Sequence, residues 1–289
     1  MATPAILIHG GAGHIDSESR AAILRGCELA LACGWQALRA GASALDAVTR
    51  AVVALENDPL FNAGIGAVLN RDGEVELDAS IMQGHDLRAG AVAAVRTVQN
   101  PIQLARRVLE EGRHVLMVGK GADDYARAQG MPACAPERLI VPRQRARWSA
   151  RGTVGAVALD TAGRLAAATS TGGIFAKRPG RVGDSALIGC GTYANAQAAV
   201  SCTGDGEAIM RMVLAYRCAA DIAAGIAPMA ASRAAVAALM ETTQGRGGLI
   251  ALDRSGRLGY ACSSAGMPIA YIQGDAAVVA TIVDGDAPI

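Results

Sequence analysis

Aromatic residues are scarce in this chain of 289 residues, at 3% Phe, Trp and Tyr together. A folded core must therefore be assembled from Ala, Val, Leu and Ile, which the 52% apolar content supplies, and that content excludes a disordered chain. Charge of one sign is also missing. The formal net charge is +1, which speaks against a dedicated nucleic-acid binder with a basic surface. No apolar run approaches the roughly 18 residues needed to span a bilayer. Met1 to His9 lacks a basic leader and a long apolar stretch, so a cytoplasmic protein without membrane partners is expected. The four histidines, His9, His14, His85 and His114, are scattered and signal no metal site. The seven cysteines, Cys27, Cys33, Cys134, Cys190, Cys202, Cys218 and Cys262, form neither a C-x-x-C nor a zinc spacing, and free buried thiols are expected. Glycine reaches 35 residues without a G-X-Y period, so it marks turns and close approaches rather than a collagen helix.

Familiar catalytic signatures are absent too. There is no H-E-x-x-H, G-x-S-x-G or Walker A sequence. Gly11-Ala12-Gly13 lacks the third glycine of a dinucleotide fingerprint. Gly183-Asp184-Ser185 is a poor esterase site, because no histidine follows it.

What is present is a layered pattern. Ala5 to Ile8 is a short apolar run that enters the glycine loop His9-Gly10-Gly11-Ala12-Gly13. Asp16 or Ser17 caps a helix reaching about Ala40, and Ser43 with Asp46 approximates a capping box for a second helix ending near Glu56. Pro59 to Gly66 reads as a glycine-rich loop. Strands are expected over 74–82 and 89–95, then a helix over 101–111, a strand over 115–118 and a helix through Ala128. Residues 130–152 carry Pro132, Pro136 and Pro142, then Arg143, Arg145, Arg147 and Arg151, and read as a linker. The strands 153–160 and 164–170 flank a turn and form a hairpin that is small and apolar on both faces, so both faces should be covered. Further strands are expected over 187–190 and 198–202, helices over 207–224 and 229–241, a hairpin over 249–253 and 258–262, and closing strands. Strands covered by helices on two sides fit a mixed α/β (α+β) fold, a four-layer αββα sandwich.

The chemistry centres on Thr153, where the linker meets a buried strand. A threonine hydroxyl is a weak nucleophile without a base beside it. Its own α-amino group, freed by cutting the bond after Gly152, has a pKa of about 7.7–8.0, which suits a base near neutrality. Thr also favours strands for packing reasons alone, and that reading stays open. If Leu159 pairs with Leu165, Thr153 lies opposite Thr171, with Cβ atoms about 5 Å apart. Three loops could converge there. Ser170 to Gly173 ends the hairpin. Arg181 to Asp184 offers a cation and an anion, which fit the carboxylate and ammonium of an α-amino acid or, equally, make a surface salt bridge. Cys202 to Glu207 leads into a helix whose backbone N–H groups could face developing negative charge.

Several stretches match a known family in order along nearly the whole chain. They are Ile8 to Gly13, Pro59 to Gly66, Glu76 to Ala79, Gly152 to Val157, Thr169 to Gly173, Pro179 to Ser185 and Ser201 to Gly204. The chain resembles the plant-type asparaginases, or isoaspartyl (β-aspartyl) peptidases, of the N-terminal nucleophile hydrolases. The resemblance implies one αββα domain over 1–289, cut by itself between Gly152 and Thr153 into parts 1–152 and 153–289. It implies Thr153 as nucleophile, Thr171 as its hydrogen-bond partner, and Thr203 with the Gly204 backbone as oxyanion hole. Arg181 and Asp184 would hold the substrate's head group, with Gly206 nearby and Asn62 close to the nucleophile. Backbone carbonyls of Leu55, Glu56, Asp58, Phe61, Ala63 and Ile65 would bind a structural sodium ion, with no cofactor for catalysis. L-asparagine and β-aspartyl dipeptides would be substrates, and two αβ units would form a dimer.

Asp205 lies where that family varies; an acid there could disfavour anionic leaving groups or favour basic ones, and the sequence leaves the leaving-group preference open. Residues 266–289 match less well. A glycosylasparaginase-like amidase, an uncleaved amino-acid binder, and nucleic-acid contact through Arg143 to Arg151 are the competing readings.

Overall fold

The computed structural model of the chain describes residues 2–142 and 152–285. Two sheets are stacked among the described residues. The larger has eight strands: β1 (Ala5–His9), β2 (Leu77–Gln83), β3 (Ala89–Val95), β4 (Leu116–Val118), β5 (Val154–Leu159), β6 (Leu165–Thr171), β11 (Met267–Gln273) and β12 (Val279–Val283). Their order is β12-β11-β1-β5-β6-β2-β3-β4. The smaller sheet is ordered β10-β9-β8-β7, from β7 (Thr192–Ala194), β8 (Ala198–Gly204), β9 (Gly247–Asp253) and β10 (Leu258–Cys262).

Side-chain alternation builds three apolar layers from these sheets. Ile6, Ile8, Val154, Ala156, Ala158, Ala166 and Ala168 face outward. They meet α1 (Ser17–Arg39), α2 (Ala44–Asn57) and α3 (Pro101–Glu111) in the first core. On the far side Ala198, Val200 and Cys202 of β8 meet α6 (Leu214–Ala223) and α7 (Pro228–Thr243), with α5 (Gly206–Met212) beside them. Between the sheets lie Leu7, Val157, Leu159, Leu165, Ala167, Ala199, Ile250 and Leu252. The architecture is therefore the expected αββα sandwich, and each fully buried aliphatic side chain contributes about 1.5–3 kcal/mol to it.

The middle layer changes character along the strands. It is apolar at one end. At the other it carries His9, Thr153, Thr169, Thr171, Ser201 and Thr203, all buried. The site lies at this polar end.

Local signals hold well. Asp16 is the N-cap of α1, and Ser43 with Asp46 closes a full capping box on α2. A last helix, α4 (Gly119–Ala128), follows β4 as expected. All seven cysteines are free, five of them buried.

Three expectations need correction. The helix over 207–224 is broken at Val213, which adopts φ 48°, and Leu187 to Cys190 is a turn, with the strand following it at β7. Two hydrogen bonds link the two. The amides of Ala215 and Tyr216, at the start of α6, donate to the carbonyls of Cys190 and Gly189, so the turn serves as the cap of a restarted helix. The linker, third, is packed in its first half. Pro136–Leu139 forms a short 3-10 turn with Leu139 fully buried, and the Leu139 carbonyl accepts from the Gly66 amide. The arginine-rich part, 143–151, lies outside the described residues.

Candidate active site

Strand register brings the central residues together. Pairing of β5 with β6 runs from Val154 opposite Ser170 to Leu159 opposite Leu165. Thr153, just before β5 and 6% exposed, thereby faces Thr171, and their Oγ1 atoms are 3.3 Å apart. Thr171 Oγ1 accepts from the Gly173 amide at 2.9 Å and donates to the Gly152 carbonyl at 2.9 Å. Asn62 Nδ2 donates to the same carbonyl at 2.8 Å and to the Gly173 carbonyl at 2.7 Å. The Val68 amide donates to Asn62 Oδ1 at 2.8 Å, so the side chain is held at both ends. The carbonyl before Thr153 thus carries two side-chain donors, the arrangement that steadies an oxyanion.

Opposite stand Arg181 and Asp184, the pair expected to hold a head group. Arg181, Asp184, Gly183, Ser185, Gly173 and Gly204 line one pocket with Gly152, Thr153, Thr171 and Ile174. Arg181 presents Nε and Nη2 to the two oxygens of Glu207, both at 2.8 Å. That fork fixes the guanidinium plane and leaves its Nη1 edge for a second carboxylate. Asp184 is 4% exposed, its Oδ2 has no hydrogen-bond partner, and burial pushes its carboxyl up to about 7. An arriving ammonium group would restore the missing partner. A Cβ on Gly206 would lie 2.9 Å from both Arg181 Nη2 and Asp184 Oδ1, so a side chain there would crowd the pair.

Thr203 is fully buried, and its Oγ1 accepts from the Ala12 amide at 2.9 Å, which leaves its own proton for a donor role. Asp205 is tied to the chain beside it. Its Oδ2 accepts from the Arg246 amide at 2.8 Å, and its own amide donates to the Arg246 carbonyl, so the carboxylate clamps a turn.

The loop expected to bind a cation is folded back on itself. Asp58 N donates to Leu55 O, Phe61 N to Asp58 O, and Ile65 N to Glu56 O. Gly64 and Gly66 adopt positive φ. A Cβ on Gly64 would lie 2.3 Å from Glu56 O, and one on Gly66 2.7 Å from Pro59 O and 2.9 Å from Phe61 O. Three of the six expected carbonyl ligands, those of Leu55, Glu56 and Asp58, thus each accept a backbone amide within the loop.

Several side chains support the site in roles that the sequence did not assign to them. Glu56 is fully buried and receives Ser170 Oγ at 2.7 Å, the Ile102 amide at 3.0 Å and Asn100 Nδ2 at 3.1 Å, while burial lifts its carboxyl to about 8. Asp78 pairs with Thr171 across the sheet. Its Oδ1 receives the Ala94 amide at 2.8 Å, its Oδ2 faces the Gly183 amide at 3.5 Å, and burial raises its carboxyl. Glu76 accepts from the Gly180 amide, and buried Lys177 donates to the Glu76 carbonyl. For Glu56 and Asp78 the signal is an acid inside an apolar element, α2 and β2 respectively.

Known proteins of similar sequence give the family of the chain. The family model described as Asparaginase matches residues 2–151 and 149–282. An isoaspartyl peptidase/L-asparaginase of Danio rerio is 43% identical, covering 93% of this chain and 92% of that protein. A plant-type L-asparaginase of Pyrococcus horikoshii is 43% identical over 93% of this chain and 96% of its own length. An isoaspartyl peptidase of Salmonella typhimurium is 46% identical over 91% and 93%. With likeness of this degree along nearly its whole length, the chain belongs to the asparaginase family of hydrolases.

Proposed function

We propose that the protein is a self-cleaving threonine amidohydrolase that acts on the side-chain amide of L-asparagine and on β-aspartyl peptide bonds. The observation that carries this is the Gly152 carbonyl, held by Asn62 Nδ2 and Thr171 Oγ1 directly beside the Thr153 hydroxyl. In maturation, Thr153 Oγ1 attacks the Gly152 carbonyl carbon, and the two donors stabilise the negative oxygen that forms. The peptide C–N bond breaks, the nitrogen takes up the proton, and water hydrolyses the resulting ester. Thr153 then begins a new chain with a free amine.

In turnover that amine takes the proton of Thr153 Oγ1, while Thr171 Oγ1 orients the hydroxyl. Arg181 holds the substrate's α-carboxylate and Asp184 its α-ammonium. Thr203 Oγ1 and the Gly204 amide receive the oxyanion. Ammonia or a peptide amine leaves with a proton, and water cleaves the β-aspartyl ester to give aspartate.

A sodium ion, when bound by the carbonyls of Leu55, Glu56, Asp58, Phe61, Ala63 and Ile65, supplies charge that keeps the Asn62 loop in one shape. Two αβ units pairing into a dimer completes the proposed form.

A denaturing gel with sequencing of new chain ends tests the reading. Two fragments, with one new terminus at Thr153, are expected, together with ammonia release from L-asparagine. Thr153→Ala should remain a single inactive chain. A wild-type protein that stays whole and releases no ammonia would overturn the proposal in favour of an amino-acid-binding homologue.

A further inference from the structure

We infer that five buried side chains behind the site, His9, Ser201, Thr169, Thr192 and Ser80, are positioning residues that set the spacing between Thr153 and the Asp184 carboxylate. The inference rests on the proposed roles of those two groups.

Register lines the five up. Across the larger sheet His9 lies opposite Gly155, Gly155 opposite Thr169, and Thr169 opposite Ser80. From the smaller sheet Ser201 and Thr192, themselves paired, face this row. His9 Nε2 is 3.0 Å from Ser201 Oγ, which is 2.7 Å from Thr169 Oγ1. Thr192 Oγ1 is 2.5 Å from Thr169 Oγ1 and 2.8 Å from Ser80 Oγ, and Ser80 Oγ reaches the Ser185 carbonyl at 2.6 Å. None of the five exposes any surface.

Both ends of this chain of contacts matter. One begins beneath the nucleophile. Gly155 shares the strand face of Thr153, two residues on, and a Cβ there would lie 2.0 Å from Ser201 Oγ and 2.5 Å from His9 Nε2. The other end holds the turn that carries Asp184. Besides Ser80 on Ser185, Thr169 Oγ1 lies 3.2 Å from the Gly191 carbonyl, and the Gly191 amide donates to the Asp184 carbonyl at 3.1 Å. Aliphatic side chains would fill the same space. Hydrogen bonds add fixed distance and direction, and they link both sheets. Burial drives the His9 imidazole down to about 3, so the chain stays neutral and places no charge behind Asp184. A single torsion separates the α-nitrogen of asparagine from its side-chain amide carbon, so with the amide seated at Thr153 a displaced Asp184 loses part of its contact with the ammonium, which weakens binding more than turnover.

Thr169→Val removes the central hydroxyl at constant shape. L-asparagine and succinamic acid, which lacks only the α-amino group, are the substrates to compare. With Thr169→Val the KM for L-asparagine should rise about tenfold, the effect of one lost buried hydrogen bond, with kcat within about threefold. The KM for succinamic acid should not move, self-cleavage should go to completion, and Thr169→Ser should restore the wild-type KM. Thr192→Val should reproduce the pattern from the other sheet, and decides the matter if Thr169→Val does not fold. Equal loss of kcat on both substrates, or an unchanged KM for L-asparagine in both variants, would overturn the inference. A wild-type protein that neither cleaves itself nor hydrolyses L-asparagine would instead overturn the proposed function.

Discussion

Replacing Asp184 with Asn should remove a pH-dependent destabilisation of the folded chain while abolishing its hold on an α-ammonium group. The carboxyl is buried, its Oδ2 lacks a partner, and its pKa rises from 3.8 to about 7. An unfolded chain loses this proton near the ordinary value. Between the two values the native state keeps a proton that the unfolded state has released, so stability falls as pH rises through that window. The penalty is absent below about pH 4 and complete above about pH 7. At 1.36 kcal/mol per pH unit it totals roughly 4 kcal/mol, of which roughly 2–3 kcal/mol develops between pH 5 and pH 8. Asn cannot ionise and escapes this loss. An amide at the unpartnered Oδ2 position adds a constant offset of about 1–3 kcal/mol, so the slope against pH is what counts. Urea unfolding of Thr153→Ala, with and without Asp184→Asn, at one protein concentration keeps each chain uncut and lets any association term cancel between the two proteins. Glu56 and His9 titrate alike in both proteins and cancel. The difference in unfolding free energy should shift by roughly 2–3 kcal/mol in favour of the Asn variant from pH 5 to pH 8. Parallel curves would refute the claim that Asp184 sits as a desolvated acid awaiting a cation. In the mature protein, Asp184→Asn should leave self-cleavage intact and raise the KM for L-asparagine beyond measurement.

Asn62→Ala removes one of the two donors on the Gly152 carbonyl and should slow the appearance of the two fragments by about 10²–10³-fold, followed on a gel over time. Gly155→Ala forces a methyl to within 2.0 Å of Ser201 Oγ and should cost about 1–3 kcal/mol or more, seen as a lower urea midpoint, with Gly155→Ala/Ser201→Gly recovering part of it. Glu56, with its carboxyl near 8, is mostly protonated at neutrality. Glu56→Gln should therefore cost only about 1 kcal/mol at pH 5. Wild type should lose ground to that variant from pH 5 to pH 8 and no further above it, as titration with unfolding would reveal.

Much of this molecule follows from short-range pattern. Alternation along 153–160 and 164–170, with small apolar residues on both faces, foretold a buried hairpin, and its turn length placed Thr153 against Thr171. Ser43 and Asp46 announced the start of α2 through bonds spanning three residues. Arg181 and Asp184 stood out as a cation and an anion spaced three apart in a glycine-containing loop, while the roles of Asn62 and Thr203 came from the family resemblance. Such features depend on neighbours a few positions apart, so the chain carries them wherever it lies.

Other features exist only once distant segments touch. Val213 breaks its helix because Gly189 and Cys190 offer carbonyls to the restarted one. Asp205 gains a structural partner only in the fold, where its Oδ2 accepts from the Arg246 amide. Glu207 sets the plane of Arg181, and Ser80, Thr169, Thr192 and Ser201 are ordinary strand residues until two sheets bring their hydroxyls within hydrogen-bond reach. Periodicity tells which face a side chain takes. A hydrogen bond needs a partner within about 3 Å, and here that partner stands up to 192 residues away, a distance that folding alone closes.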